Sequence, residues 1–119
     1  MSNVVSIHPY FQPHAGKLED FKALLPQFCE RTATEAACHW YDFTISDTGT
    51  VHCREGYDGA AGLLAHLENV GELLGKALEI SDLVRVEVHG PAAELDKLRE
   101  PLAHLDADYF AFHSGIGKP

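Results

Sequence analysis

VHCREGYDGAAGLLAHLENVGELLGKAL, residues 51–78, carries the transition on which the fold turns. A short strand over Val51–Tyr57 runs through Asp58 straight into an amphipathic helix over Gly59–Leu78. Ala60, Leu63, Leu64, Leu67, Val70 and Leu74 recur with the 3.6-residue period and mark the buried stripe of that helix. Gly59, Gly62, His66 and Asn69 lie along its edge. Glycines three residues apart admit another backbone or a ligand, and the two polar side chains then stand at the border of the core. A small-molecule site can open there. The plainer reading is a helix packed tightly on a sheet, with His66 making one structural hydrogen bond.

On the N-terminal side of this stretch the pattern is that of a hairpin. Ala37–Ser46 leads into a turn at Asp47-Thr48-Gly49 and back along Val51–Tyr57. With Gly49 in the left-handed bulge position, Asp42 faces Arg54 and Thr44 faces His52. Ala37, Tyr41, Phe43, Ile45, Val51 and Cys53 then form the apolar face, opposite Trp40, Asp42, Thr44, His52 and Arg54. Before the hairpin, Val4–Phe11 alternates as a strand, Val5, Ile7 and Phe11 on one side and Ser6, His8 and Tyr10 on the other. Pro9 lacks an N–H and is expected to cost a ladder bond. Leu18, Phe21, Leu25, Phe28 and Thr32 mark a first helix that Pro26 is expected to kink or end.

On the C-terminal side, Leu83–His89 alternates Val84, Val86 and Val88 against Arg85, Glu87 and His89. Gly90-Pro91 opens a third helix whose stripe is Leu95, Leu98, Leu102 and Leu105. A last strand over Asp108–His113 is expected to bring Phe110 and Phe112 inward, followed by a loose tail. The 119 residues read as a single domain with an ordered core over about 3–113.

Composition narrows the partners. Nine basic against eighteen acidic residues give a formal charge of −9, which disfavours nucleic acid and anionic membrane surfaces. The absence of a long apolar run or signal-peptide pattern makes cytoplasm the expected location. Cys29, Cys38 and Cys53, odd in number and without Cys-x-x-Cys spacing, read as free buried thiols.

Strand, helix, hairpin, helix, strand is the order of an α+β ferredoxin-like sandwich with an antiparallel sheet, here extended by a C-terminal helix and strand. Helices cover one sheet face. Ser6, His8, Tyr10, Trp40, Asp42, Thr44, His52, Arg54, Arg85, Glu87 and His89 project from the other, and a second copy packed on that face would turn it into a cavity lining.

The element order, together with Ala37-Cys38-His39-Trp40-Tyr41-Asp42-Phe43, Glu55-Gly56-Tyr57-Asp58 and Ala65-His66, resembles the antibiotic-biosynthesis monooxygenase family of dimeric α+β barrels. The resemblance spans most of residues 3–113 and rests on short motifs. It implies a homodimeric α/β barrel with a pocket between sheet and helices in each subunit. Some members oxidise quinols or anthrones with molecular oxygen without metal or flavin, and others degrade haem. Tyr41, Glu55, Tyr57 and His66 stand at positions of the family pattern, and Tyr57 replaces a tryptophan common in relatives. The Asn, Trp and His set of the haem-degrading branch has no counterpart, since the corresponding turn reads Leu73-Leu74-Gly75.

Three functional readings follow. The first is cofactor-independent monooxygenation of a quinol-like or phenolic small molecule, which needs a base, donors for the resulting anion and an apolar enclosure. His8 and His52 are candidate bases and Arg54 an anion stabiliser, with Tyr10, Trp40, His66, Asn69, Arg85 and His89 as substrate-binding residues. The plain alternative for the same face is Asp42–Arg54 and Arg85–Glu87 ion pairs with histidines filling a dimer contact. The second reading is a metal site drawing on His8, His52 and His89 with Glu87 or Asp42, against which stands the lack of paired histidines at ligand spacing. The third is a non-catalytic dimer that binds a small molecule or is purely structural.

Overall fold

The computed structural model describes residues 2–117. Its central strand is β1 (Val4–Pro13), flanked by β3 (Val51–Asp58) and β4 (Ser81–Gly90), with β2 (Cys38–Ile45) and β5 (Asp108–Ala111) at the edges. The order β2-β3-β1-β4-β5 is the ferredoxin-like sheet with β5 added on the β4 side. All pairings are antiparallel except β4 with β5, which is parallel, so the sheet is mixed. Within the chain it is open at both edges and does not close into a barrel.

The register of β1 follows its alternation: Val5, Ile7 and Phe11 are buried toward the helices. Pairing with β3 is interrupted at His8 and Pro9 and resumes at Tyr10, as a residue without an N–H requires. The hairpin pairs Asp42 with Arg54 and Thr44 with His52, and Gly49 adopts φ +83°.

The helices α1 (Leu18–Thr32), α2 (Gly59–Asn69), α3 (Gly71–Glu79) and α4 (Ala92–Asp96) pack on one face. Phe21, Phe28 and Thr32 of α1 are buried, and the helix continues through Pro26 rather than ending there. The single helix expected over 59–78 is instead two. Val70 (φ −103°, ψ 6°) lies at the joint before Gly71, although Val70 N–H still reaches His66 O at 3.0 Å. This joint accompanies burial of Leu73 and Ala77, which the single stripe did not include. At the start of α2, Gly59 takes φ +62°, and Ala60 N–H is capped by Glu94 Oε1 at 2.9 Å. A Cβ on Gly62 would stand 3.0 Å from Ala37 Cβ and 3.2 Å from Tyr57 Cβ, so this glycine brings the helix against the protein rather than a ligand.

Four other expectations are corrected. Val84 faces outward at 59% exposure, because a bulge in β4 opposite Tyr10 and Phe11 brings Leu83 against the core in its place. The third helix stops at Asp96 and gives way to turns and a short 3₁₀ segment, Ala103–Leu105, around Pro101, while Leu95, Leu98 and Leu102 are still buried. Phe110 and Phe112 are 43% and 47% exposed, since β5 pairs Tyr109 with Val88 and Phe110 with His89; it is Tyr109 that packs against the core. Cys53 is buried, Cys38 partly so, and Cys29 is exposed rather than a core filler. No helix among the described residues is long and apolar enough to cross a membrane.

Candidate functional site

The residues singled out from the sequence divide between the two faces of the sheet. On the open face, Tyr10, His52, His8, His89 and Phe110 make a row of rings across β3, β1, β4 and β5. Centroid separations along the row are 4.2 Å, 5.8 Å, 4.8 Å and 4.5 Å. His52 donates Nδ1–H to Pro9 O at 3.0 Å, and His8 Nε2 meets Ser6 Oγ at 2.9 Å. Partial burial, with His89 and His52 adding repulsion, lowers the His8 pKa. Arg54 pairs with Asp42 at 3.1 Å; Arg85 pairs with Glu87 at 2.7 Å and with Asp108 at 3.1 Å. Both arginines therefore have carboxylate partners, and Glu87 is held below the usual carboxylate range chiefly by its Arg85 hydrogen bond. Trp40 lies over Gly56, which has no side chain to obstruct the indole. Among the described residues no three His, Cys, Asp or Glu side chains are grouped to hold a metal ion.

The covered face holds a different arrangement. Period-two alternation in β3 sends Val51, Cys53, Glu55 and Tyr57 toward the helices, so a carboxyl is carried into the core. Glu55 is 4% exposed and accepts a 2.6 Å hydrogen bond on Oε1 from Tyr57 OH. His66, reaching in from α2, places Nε2 3.2 Å from the same oxygen. Its Nδ1 lies 2.9 Å from Oε2 of Glu35, in the turn between α1 and β2. Asn69, one helical turn beyond His66, gives its amide to Glu35 Oε2 at 2.7 Å and to Arg31 O at 3.0 Å.

Glu55, His66, Tyr41 and Cys53 form the polar end of a cavity of about 50 Å³ otherwise walled by groups such as Phe21, Phe28, Phe43, Leu67, Val70 and Leu74. Burial raises the Glu55 pKa from 4.5 to about 7, with nearby Glu35 adding to the rise and the Tyr57 hydrogen bond opposing it. Burial also lowers the His66 pKa, against the pull of Glu35. A neutral Glu55 beside a neutral imidazole is consistent with both shifts, because an unpaired charge at this depth is costly. The phenols of Tyr41 and Tyr57 and the thiol of Cys53 are pushed upward by burial, which keeps them protonated near neutral pH. The arrangement can therefore hand a proton to a bound molecule, or take one from it, inside an apolar enclosure.

Of the expected site residues, only His66 lines this cavity, and Asn69 supports it through Glu35. His8, His52, Arg54, Tyr10, Trp40, Arg85 and His89 belong to the open face. Glu55 was not among the expected site residues, although the alternation that turns Val51 and Cys53 inward carries it to the same face and it stands in the family pattern. Glu35 lies in a turn without periodicity and carried no sequence signal.

No family model matches the sequence, and no curated protein does. Among solved structures, MupZ from Pseudomonas fluorescens is 42% identical with a TM-score of 0.94, over 99% of this chain and 97% of that one. Rv0793 from Mycobacterium tuberculosis is 26% identical with a TM-score of 0.65, over 74% of this chain and 94% of that one. A candidate antibiotic biosynthesis monooxygenase from Nitrosomonas europaea shares the fold at 16% identity and a TM-score of 0.69, over 77% of this chain and 93% of that one. The chain belongs to one family with MupZ, which it matches over nearly the whole length of both proteins, and it shares its fold with antibiotic biosynthesis monooxygenase structures.

Proposed function

We propose that the protein is an acid–base enzyme acting on a small, largely apolar, oxygen-bearing molecule in the cavity between sheet and helices, with Glu55 as the group that exchanges the proton. The observation that carries this reading is a carboxyl buried at the polar end of an otherwise apolar cavity, where burial pushes its pKa up to about 7. The fold shared with antibiotic biosynthesis monooxygenase structures supports a cofactor-independent monooxygenase of a quinol-like or phenolic substrate as the first form of this chemistry. Ionised Glu55 would take a proton from the substrate, and the resulting anion would react with oxygen within the apolar walls. For an activated CH₂ group, one oxygen atom ends as the new carbonyl and the other as water, so carbon supplies four electrons and no external reductant is consumed. The cavity has room for only a few heavy atoms, so the walls must open as substrate enters.

A second, redox-neutral form is favoured by the same pKa: below about 7 Glu55 is protonated and serves as a general acid. A second copy of the chain on the open sheet face completes the proposal, with the ring row and ion pairs as its contact. His8, His52 and Arg54 are then contact residues rather than the base and anion stabiliser of the first reading.

Dissolved oxygen followed while the protein meets quinols, anthrones and flavonoid-like phenols tests the assignment. Uptake above background that is lost in Glu55→Gln and retained in His8→Ala supports oxygenation at Glu55. Conversion under nitrogen selects the redox-neutral form. A molecule bound and recovered unchanged makes the protein a binding dimer, and loss of turnover only in His8→Ala or His52→Ala returns the site to the open face.

A further inference from the structure

Glu55 is 4% exposed, so whatever proton it gives or takes must be restored along some route. One wall of its cavity offers such a route. Glu55 and His66 line the cavity, while Glu35 lines a separate surface hollow with Thr32, Cys38, His39 and Trp40. Tyr41 borders both. His66, at 2% side-chain exposure, spans the partition with one ring nitrogen on each carboxyl group: Nε2 at 3.2 Å from Glu55 and Nδ1 at 2.9 Å from Glu35. The Glu35 side chain is 10% exposed, and Asn69 fixes the oxygen that meets Nδ1.

We propose that Glu35 is the proton port of this site, with His66 passing protons between it and Glu55. A solvent proton taken up by Glu35 moves to Nδ1 as the Nε2 proton moves to the Glu55 carboxylate, and the imidazole ends in its other tautomer. The reverse transfer empties Glu55 after it has acted as a base. Each passage moves one proton and leaves no net charge on the imidazole, which suits a ring whose charged form is disfavoured by burial. The titratable groups facing this chain are Tyr57 and Cys53 on the Glu55 strand, Tyr41 and Cys38 on the neighbouring strand, and Glu35 itself. The tyrosines and cysteines are held protonated by burial, so the two carboxyl groups and the imidazole are left to carry the traffic. Glu35 and His66 are positioning and relay residues, and the inference rests on Glu55 being the acid–base group.

The test reads proton exchange directly and needs no substrate. Protein carrying ¹³C-glutamate is transferred to D₂O below the Glu55 midpoint, and the protonated-carboxyl infrared band of Glu55, identified by its loss in Glu55→Gln, is followed in time. Glu35→Gln, which preserves shape but cannot shuttle a proton as a carboxylate, is expected to slow the band's isotope shift by about a hundredfold. Should that variant fail to fold, Glu35→Asp, which withdraws the carboxyl from Nδ1 and keeps the charge, carries the same prediction with a smaller slowing. Equal rates in wild type and both Glu35 variants mean that protons reach Glu55 through the cavity mouth, and overturn the relay while leaving the Glu55 reading intact. Absence of any protonated Glu55 band overturns both.

Discussion

A carboxylic acid on an inward position of a central strand must either find a cation or give up its charge, and among the described residues Glu55 has only His66, itself too buried to ionise readily. The consequence extends to stability. The folded-state pKa of about 7 lies above the ordinary 4.5, so between these values the unfolded chain releases a proton that the folded one retains, and stability falls as pH rises. Below pH 4.5 both states are protonated and the cost is absent; above 7 it is complete, on the order of 3 kcal/mol from the pKa difference. Glu55→Gln, close to isosteric with the neutral acid, removes this term. Urea unfolding of both proteins across that range is expected to give curves that diverge with rising pH, the variant becoming the more stable. His66 titrates in the opposite sense, and the difference between the two proteins separates Glu55 from it.

At the scale of elements, much of the architecture was readable because alternation and the 3.6-residue period report burial. The hairpin register, the buried face of the first helix and the leucines after Pro91 all follow from those periods. What escaped were departures from period: the joint at Val70, the bulge that exposes Val84, and the reversed faces of Tyr109 and Phe110. Each depends on a neighbouring strand or helix absent from the local pattern. The site was partly legible for the same reason, Glu55 and His66 through their periods and Glu35 only through its tertiary contact. Gly56 offers an experiment at this scale. A Cβ there would stand 2.6 Å from Trp40 Cε2, and Trp40 is the chain's single tryptophan. Gly56→Ala is therefore expected to displace the indole, which is already 41% exposed, and to shift its fluorescence while the cooperative unfolding transition persists. An unchanged emission spectrum would mean that the indole does not rest on Gly56.

At the scale of the whole molecule, the two sheet faces are unlike. The helix side encloses the carboxyl and its cavity, while the open side carries the ring row, paired arginines and an exposed Phe110. A patch of rings on a sheet is suited to a self-complementary contact. Sedimentation is expected to find two-chain particles that Tyr10→Asp and Phe110→Asp together convert to single chains, with Glu55 still titrating in its own cavity. Single chains in the unaltered protein at all concentrations would remove the second copy from the proposal.

The acid–base site stands on the protonation of one side chain, Glu55. The most direct measurement is the ¹³C NMR titration of the Glu55 side-chain carboxyl carbon, identified by its absence in Glu55→Gln. A midpoint near 7, moving upward in Tyr57→Phe as the hydrogen bond that favours the anion is lost, is the predicted result. A midpoint at the ordinary 4.5 would make Glu55 a fixed anion at neutral pH and contradict the acid–base site.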